Sequence, residues 1–240
     1  MAERLQANDQ QRRNMLADVS HELRTPLTVI QGNVEGILDG LYLADETRLK
    51  SILEETQVLS RLIEDLRTLA LAESGALQLK REPTDLKELI LDTVAGFETQ
   101  AKEKEINLVV SLVDIEEINI DPQRVREVLT NLIGNALRYT PVQGEITVSL
   151  AESDLSAESD ALTGEAVSIR GVVISIHDSG AGIGTADLPH IFDRFYKSSD
   201  SGGMGLGLSI AKYLVEGHGG GIWAESEVSR GTKISFTLPV

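Results

Sequence analysis

The chain has 240 residues, of which 41% are hydrophobic and 25% are charged, and it contains no cysteine. This apolar content suffices for one large domain or two modest ones, while the lack of cysteine excludes disulfides, a cysteine nucleophile and thiolate metal sites. The formal net charge of -16 argues against a general nucleic-acid binder, because a polyanion would repel such a surface. No apolar run reaches the roughly 18 residues that a membrane span requires, so we expect no membrane contact within this chain.

The first third of the chain predicts two long helices, because apolar residues recur there at spacings of three and four. Their apolar positions are Leu16, Val19, Leu23, Leu27, Ile30, Val34, Ile37 and Leu41, then Leu49, Ile52, Thr56, Leu59, Ile63, Leu66 and Ala70. Asp45 is the predicted N-cap of the second helix. Two such helices bury their seams poorly as a lone hairpin, so we expect a homodimer that forms a four-helix bundle. Simple coiled-coil scaffolding is the alternative.

Beyond Gly75 the pattern changes to short strands interleaved with helices. Strands are predicted at LQLKRE (77–82), 106–112, 117–120, 145–150, 166–177, 221–226 and 232–238. Helices are predicted after the capping box of Asp85 and Glu88 and over 122–138 and 205–217. The fold class is therefore α+β, a helical hairpin followed by a sandwich whose helices lie on one face of a mixed sheet. The acidic stretch 151–165 is interpreted as a solvated loop between two strands.

His21 lies in the stretch ADVSHELRTPLTVI on the first predicted helix. Val19 and Leu23 belong to the apolar seam, and a residue two positions from each lies about 200° around the helix axis. The imidazole should therefore point away from the buried stripe. A lone exposed histidine usually has no function, so its neighbours decide the interpretation.

Three residues that follow His21 favour a reactive role. Glu22 could accept the ring proton and leave one ring nitrogen free as a nucleophile. Thr25 is four residues on and shares the same helix face. Pro26 removes a backbone donor, so it should bend or loosen the helix just beyond the histidine.

Three clusters in the second half suit a phosphorylated ligand. NLIGNALRYT places Asn131 and Asn135 on one helix face, where two amide oxygens could help to coordinate a hard cation; solvent-facing amides are the alternative. HDSGAGIG ends a β-branched strand with Asp178 and three glycines, which let backbone approach a ligand closely. GGMGLGLSI leads a glycine-rich loop into a helix, whose first amides can bind an anion. Neither a P-loop nor a dinucleotide fingerprint occurs.

Taken in order, SHELRTPL, NLIGNALRYT, DSGAGIG, IFDRFYK and GMGLGLSI resemble the H, N, G1, F and G2 boxes of sensor histidine kinases. The resemblance covers nearly the whole chain. It implies that residues 1–75 form the dimerisation and histidine-phosphotransfer hairpin, with residues 1–14 continuing an upstream signalling helix. Residues 76–240 would form the Bergerat-fold (GHKL) ATP-binding domain.

The resemblance also implies an activity and its catalytic residues. His21 would be the phosphoacceptor, Glu22 the base that activates it, and Thr25 the residue that aligns water for phosphatase activity. A protein histidine kinase of this kind phosphorylates its own histidine from Mg-ATP. It then passes the phosphoryl group to an aspartate in the receiver domain of a response regulator, and it can also act as the phosphatase of that partner.

In the ATP-binding domain, the resemblance makes Asn135 the main Mg²⁺ ligand, with Asn131 supporting magnesium or phosphate. Tyr139 would lie beside adenine, and Asp178 would accept a hydrogen bond from the adenine amino group. The other implied ATP-binding residues are glycines that shape the pocket or cradle phosphates, and cations that face them: Gly180, Gly182, Gly203, Gly205, Gly207, Arg138, Arg194 and Lys197. Only six residues, KSSDSG, separate Tyr196 from Gly203, where relatives usually carry a longer lid.

The location implied by the resemblance is the cytoplasmic portion of a membrane-bound bacterial sensor. Two alternatives stay open. An ATPase of the gyrase, Hsp90 or MutL type shares the asparagine and glycine boxes but lacks a SHELRTPL helix. A non-catalytic dimeric scaffold, or a phosphatase-biased relative that binds ATP poorly, would be indifferent to loss of His21.

Overall fold

The computed structural model describes the backbone of residues 2–156, 168–196 and 205–240, and their side chains except those of residues 2–18, 73, 154–156 and 168–170. The described chain divides into two compact units, one ending at Leu71 and the other beginning at Ala72. Within these described ranges, no helix combines the length and the apolar character that crossing a bilayer would require.

The first unit is a helical hairpin of α1 (Ala2–Leu38) and α2 (Glu46–Glu73). α1 continues as a helix through Pro26, so the predicted loosening beyond the histidine does not interrupt it. As predicted, Asp45 caps α2, because its carboxylate accepts a hydrogen bond from the Arg48 backbone N–H at 2.9 Å.

The predicted seam is only partly covered within one chain. Ile63 of that seam is 60% exposed, whereas Leu62 and Leu69 of α2, which the predicted seam lacks, are fully buried. Leu53, which the prediction also lacks, is 57% exposed. On α1, Leu27 is also exposed. A single hairpin therefore buries one stripe of its apolar residues and leaves a second stripe in contact with water.

A side-chain cluster fixes the turn between the two helices. The Arg48 guanidinium donates to Asn33 Oδ1 at 3.0 Å and lies 4.1 Å from the centroid of the Tyr42 ring. That ring covers Gly36 of α1 so closely that a Cβ at this position would lie 2.2 Å from Tyr42 Cδ2. Glycine at position 36 is therefore required for the ring to pack under the arginine.

The second unit is built on a five-stranded mixed sheet in the order β2-β4-β5-β7-β6. Its strands are β2 (Asn107–Leu112), β4 (Glu145–Ser156), β5 (Ser168–Asp178), β6 (Ile222–Glu227) and β7 (Gly231–Pro239). β2 and β4 are parallel and the other neighbours are antiparallel. A separate two-stranded sheet pairs β1 (Glu82–Thr84) with β3 (Ile118–Ile120). This confirms the α+β class and the mixed sheet.

The helices of this unit are α3 (Leu86–Ala95), α4 (Glu98–Glu103), α5 (Pro122–Tyr139) and α6 (Gly207–Gly217). α5 and α6 pack on each other and on the central strands. The core between helices and sheet consists of alternate strand residues and one stripe of each helix: Ile146, Val148, Leu150, Val172, Ile174, Ile176, Phe236, Leu238, Leu129, Leu132, Ile133, Ile210 and Leu214. This period-two burial is what an antiparallel sheet with one covered face requires.

The opposite face of the sheet is lined by small polar residues. Ser149 pairs with Ser175, and Ser175 pairs with Ser235 in the strand register. The hydroxyl groups of Ser175 and Ser235 are buried and lie 2.9 Å apart. Their polar groups therefore satisfy each other away from the helices.

Two of the predicted elements were wrong in extent. No ladder forms over residues 77–81, and only Glu82 of the predicted strand LQLKRE belongs to β1; the Lys80 backbone N–H instead donates to Asp121 Oδ2 at 2.8 Å. Residues 151–156, predicted as loop, extend β4, because each has a pairing partner on β5. The remainder of that predicted loop, residues 157–165, lies outside the described residues.

Asp121 and His218 connect three segments of the second unit: the segment before β1, the start of α5 and the end of α6. Asp121 caps α5, since its Oδ1 accepts from the Arg124 N–H at 3.1 Å. Its own backbone N–H donates to His218 Nε2 at 3.1 Å, and His218 Nδ1 lies 2.7 Å from the Leu214 carbonyl oxygen. A carbonyl only accepts and an N–H only donates, so both contacts require the neutral ring with its proton on Nδ1. Burial lowers the pKa of His218, which is only 2% exposed.

We expect replacement of Gly36 to weaken the hairpin and replacement of Gly32 to strengthen it. Both glycines lie within α1, and alanine is favoured over glycine in a helix interior by about 1 kcal/mol. A Cβ at Gly32 has open space, whereas one at Gly36 displaces the Tyr42 ring. In thermal unfolding followed by helical circular dichroism, the melting temperature of Gly32→Ala should be higher than that of the wild type, and that of Gly36→Ala should be lower. Equal shifts in the two variants would contradict the assigned packing.

We also expect His218 to make stability depend on pH. Because its pKa is lower in the folded than in the unfolded chain, the unfolded state binds the proton first as the pH falls below about 6.5. The wild type should therefore have a higher free energy of unfolding than His218→Gln at pH 7.5, and this difference should shrink toward pH 5.5 by at most about 1.4 kcal/mol per pH unit. Urea unfolding of both proteins at several pH values measures this. A gap that does not change with pH would refute the neutral-ring assignment.

Candidate functional site

His21 is exposed on α1, with Val19 and Leu23 half-buried on either side of it. The ring therefore points away from the covered stripe, as the helical phase predicts. Thr25 is also exposed, and its hydroxyl donates to the His21 carbonyl oxygen at 3.4 Å. Glu22 is half-buried beside the histidine. The predicted catalytic residues are thus brought together within about one helical turn.

Pro26 modifies the backbone of that turn. It has no N–H, so it cannot donate to the carbonyl of Glu22, the residue four positions earlier. The proline ring itself is buried and lies within an unbroken helix. The turn that carries the histidine is therefore held with one helical hydrogen bond fewer than its neighbours.

The second unit contains a cavity of about 310 Å³ between α5, the ends of β5 and β7, the loop after β5 and the start of α6. Its walls are largely apolar, with a few polar groups that converge on the space. The lining residues are Leu132, Asn135, Ala136, Tyr139, Ile176, Asp178, Ala181, Gly182, Ile183, Gly184, Asp187, Ile191, Tyr196, Leu208, Thr232 and Ile234.

Asp178 is the buried acid of this cavity, at the last position of β5. It is 8% exposed, and its carboxylate accepts hydrogen bonds from the backbone N–H groups of Gly180, at 2.8 Å, and of Thr232. Burial raises the pKa of Asp178, and the two backbone donors partly offset that rise. A ligand that offers a further hydrogen-bond donor would therefore stabilise this carboxylate.

Glycines let the backbone close around Asp178. A Cβ at Gly180 would lie 2.5 Å from the Tyr139 carbonyl oxygen. Gly182 has a φ of +71°, and a Cβ there would lie 2.1 Å from the Glu227 carbonyl oxygen. Side chains at these positions would push the loop after β5 out of place.

The two asparagines of α5 occupy one face of the helix, four residues apart. Asn135 lines the cavity. Among the buried side-chain nitrogen and oxygen atoms of the described residues, Asn131 Nδ2 is the one that lacks a hydrogen-bond partner. Gly207, the first residue of α6, lies directly beside it, since a Cβ there would be 3.4 Å from Asn131 Oδ1. The asparagine face therefore meets the N-terminus of α6 at the cavity.

The other predicted ATP-binding residues differ in their relation to the cavity. Tyr139 lines it and is partly exposed, with the Arg138 guanidinium 5.8 Å from its ring centroid. Gly205 precedes α6 with a φ of +69°. Arg194 donates to the hydroxyl of Tyr213 on α6 and lies over its ring, and it is not among the lining residues. Lys197 and Gly203 lie outside the described residues.

Sequence reasoning missed three polar residues of the wall, of which Asp187 and Tyr196 contact each other. The Tyr196 hydroxyl donates to the Asp187 carboxylate, and this hydrogen bond raises the pKa of Tyr196. Tyr196 lies in the motif IFDRFYK, which could have marked it. Thr232 was also missed; it follows the turn glycine in GTKISF, where a strand begins beside the end of β5.

Two family models match the chain. One, described as histidine kinase-, DNA gyrase B-, and HSP90-like ATPase, matches residues 120–240. The other, described as His Kinase A (phospho-acceptor) domain, matches residues 11–75. The first covers the cavity and the second covers His21.

Sensor histidine kinase WalK of Bacillus subtilis is 36% identical over 240 residues, which cover 96% of this chain and 37% of WalK. The chain thus spans well under half of the length of this relative. The solved structure of the Acinetobacter baumannii histidine kinase AdeS is 30% identical, with a TM-score of 0.72, and the match covers 91% of this chain and 97% of AdeS. A structure of histidine kinase ThkA in complex with response regulator protein TrrA is 26% identical, with a TM-score of 0.68, and it covers 94% of this chain and 61% of the other.

The boxes in the sequence, the cavity and these matches agree. The chain belongs to the sensor histidine kinases, as a two-component catalytic core in which a phospho-acceptor helical hairpin precedes an ATPase domain.

Proposed function

We propose that this core phosphorylates its own His21 from Mg-ATP. The observation that carries the proposal is a buried carboxylate, Asp178, in an apolar cavity of one unit, together with an exposed histidine on a helix of the other. The chain thus offers both a place for a nucleotide and a nucleophile. We assign residues 1–75 to the phosphotransfer hairpin, with residues 1–14 continuing an upstream helix, and residues 76–240 to ATP binding.

The cavity suits an adenine ring. Ile176 and Ile234 supply apolar walls, and Tyr139 would stack beside the base. Asp178 would accept a hydrogen bond from the 6-amino group, which is the further donor that its burial favours. Gly180 and Gly182 keep the loop close enough for a flat ring to fit between backbone and sheet.

The phosphates would lie at the asparagine face. Asn131 Nδ2 has no partner among the described residues and is free to donate to a phosphate oxygen, and the backbone at Gly205 and Gly207 would cradle the phosphates. Arg138, whose guanidinium lies 5.8 Å from the centroid of the Tyr139 ring, is a candidate phosphate-facing cation. Arg194 donates to Tyr213 with one of its five N–H groups, and its role toward phosphate, like those of Lys197 and Gly203, rests on the family resemblance alone.

Asn135 would be the main protein ligand of Mg²⁺, with Asn131 in support. The described residues contain no group of three or more acidic or histidine side chains that could hold a metal ion, but Mg²⁺ binds through phosphates and water with few protein ligands. An amide oxygen on the cavity wall fits that requirement. When bound, the ion would offset negative charge on the phosphates.

In the transfer itself, a ring nitrogen of His21 bonds to the γ-phosphorus while the bond from that phosphorus to the β–γ bridging oxygen breaks, and ADP leaves. Glu22 would hold the proton of the other ring nitrogen and then take it. Exposure of the ring is required, because the nucleotide and the histidine belong to different units. The turn of α1 that carries His21 and the base Glu22 would together orient the nucleophile.

Two partners follow from the same proposal. The stripe of exposed apolar residues that includes Leu27, Leu53 and Ile63 would be covered by a second copy in a four-helix bundle.

ThkA has been solved with its response regulator, which supports phosphoryl transfer from His21 to an aspartate of a receiver domain. Thr25 would align water when the core acts as a phosphatase. The whole protein would place this core on the cytoplasmic side of a membrane-bound bacterial sensor.

We expect His21→Ala to abolish labelling by γ-³²P-ATP and Mg²⁺, because the acceptor nitrogen is lost. The bound phosphate of the wild type should be labile to acid and stable to alkali. The control is His177→Ala, which removes an exposed histidine on the polar face of the sheet and should label normally. Label retained by His21→Ala would overturn the assignment. Free phosphate without labelled protein would favour an ATPase of the gyrase or Hsp90 type.

We expect Asp178→Asn to weaken ATP binding by tenfold or more, because the amide can present a donor to the amino group of adenine. Folding should be retained, since the substitution removes the cost of burying a charge. Calorimetric titration and urea unfolding measure the two effects. The control is Asp92→Asn, an exposed carboxylate 3.7 Å from Arg126. Unchanged affinity in Asp178→Asn would exclude the adenine contact.

A further inference from the structure

The hydroxyl of Ser226, near the end of β6, joins three segments around the cavity without lining it. It accepts a hydrogen bond from the Ile183 backbone N–H at 2.8 Å and donates to the Gly231 carbonyl oxygen at 2.8 Å. It also lies 2.9 Å from the hydroxyl of Thr232. One serine oxygen therefore connects the loop after β5 with the first two residues of β7.

One arrangement of hydrogens satisfies all three contacts of Ser226. A serine hydroxyl has one hydrogen, and a carbonyl oxygen can only accept. The hydrogen of Ser226 is thus directed at Gly231, and the Ile183 N–H already donates to the serine oxygen. In this arrangement Thr232 is the donor in the remaining contact.

The direction of the Thr232 hydrogen matters because Thr232 lines the cavity beside Asp178. Its backbone N–H donates to the Asp178 carboxylate, and its side chain is buried in the wall. With its hydrogen committed to Ser226, the threonine oxygen has only lone pairs left for the cavity. The polar side-chain atoms that Asp178 and Thr232 can offer to the cavity are then acceptors, a carboxylate and a hydroxyl oxygen.

We propose that Ser226 is a positioning residue for nucleotide selectivity: it holds the Thr232 hydroxyl as an acceptor, so that the cavity prefers a purine with an amino group at position 6 over one with a carbonyl there. This inference rests on the proposed binding of adenine at Asp178. A 6-amino group donates to the two acceptors, whereas a 6-carbonyl oxygen would face them without a hydrogen between.

Removing the serine hydroxyl should free the hydrogen of Thr232. In Ser226→Ala that hydrogen has no acceptor at its former position, and it can turn into the cavity and donate to a carbonyl oxygen. The preference for adenine over hypoxanthine should then fall. The effect must act through Thr232, so it should disappear in a chain that carries Thr232→Val, which has the same shape and no hydroxyl.

The test measures the affinities of ADP and of IDP, its hypoxanthine counterpart, by calorimetric titration of the full chain, since neither diphosphate can be turned over. We expect Ser226→Ala to reduce the ratio of ADP to IDP affinity about five- to tenfold, the effect of one hydrogen bond. Ser226→Thr, which keeps the hydroxyl, should retain the wild-type ratio. Ser235→Ala, which removes a buried serine of β7 on the opposite face of the sheet, should also retain it.

Addition of Ser226→Ala to Thr232→Val should leave the ratio of the single Thr232→Val variant unchanged. Equal losses of affinity for both nucleotides in Ser226→Ala would show a merely structural role and overturn the inference. A selectivity change that persists in the Thr232→Val background would overturn it as well. If the wild type binds neither diphosphate, the proposed nucleotide site fails, and that result is distinct from a wild type that binds ADP while Ser226→Ala keeps its selectivity.

Discussion

The burial of one carboxylate organises the ATPase unit. Asp178 ends a core strand, and a charge in that position is costly unless donors surround it. Two backbone N–H groups come from the loop that follows and from the start of β7. The first donor can approach because Gly180 carries no side chain, and the start of β7 can approach because a Cβ at Gly231, which would lie 1.8 Å from the Asp178 carbonyl oxygen, is absent. The backbone around the cavity is therefore shaped by the hydrogen bonds that the buried Asp178 carboxylate requires. An adenine amino group would supply this carboxylate with one further donor.

The phospho-acceptor unit depends on a different constraint, the phase of one helix. His21 is exposed because Val19 and Leu23 lie on the covered side of α1, and a helix cannot place all three on one face. Thr25 and Pro26 act on the same turn, one by donating to the His21 carbonyl and the other by lacking a donor. The exposure of His21 is thus set by helix periodicity, while its surroundings are set by two local departures from regular helix bonding.

Much of this was predictable because it is local. The cap at Asp45, the phase of His21, the strand that ends at Asp178 and most element positions follow from short-range patterns. What failed depends on partners distant in sequence. LQLKRE has the composition of a strand, but Asp121 binds the Lys80 N–H in place of a neighbouring strand. Thr232, Tyr196 and Arg194 acquired their contacts from β6, Asp187 and Tyr213 through tertiary packing, which no spacing in the sequence encodes.

The central claim is that ATP bound beside Asp178 phosphorylates His21 and no other residue. The most direct measurement is mass-spectrometric mapping of the phosphoryl group on the full chain after incubation with ATP and Mg²⁺, under conditions that preserve phosphohistidine. We expect a single phosphorylated residue, His21, in the wild type and none in Asp178→Asn. A phosphoryl group on a different residue, or ATP consumed with none on the protein, would contradict it.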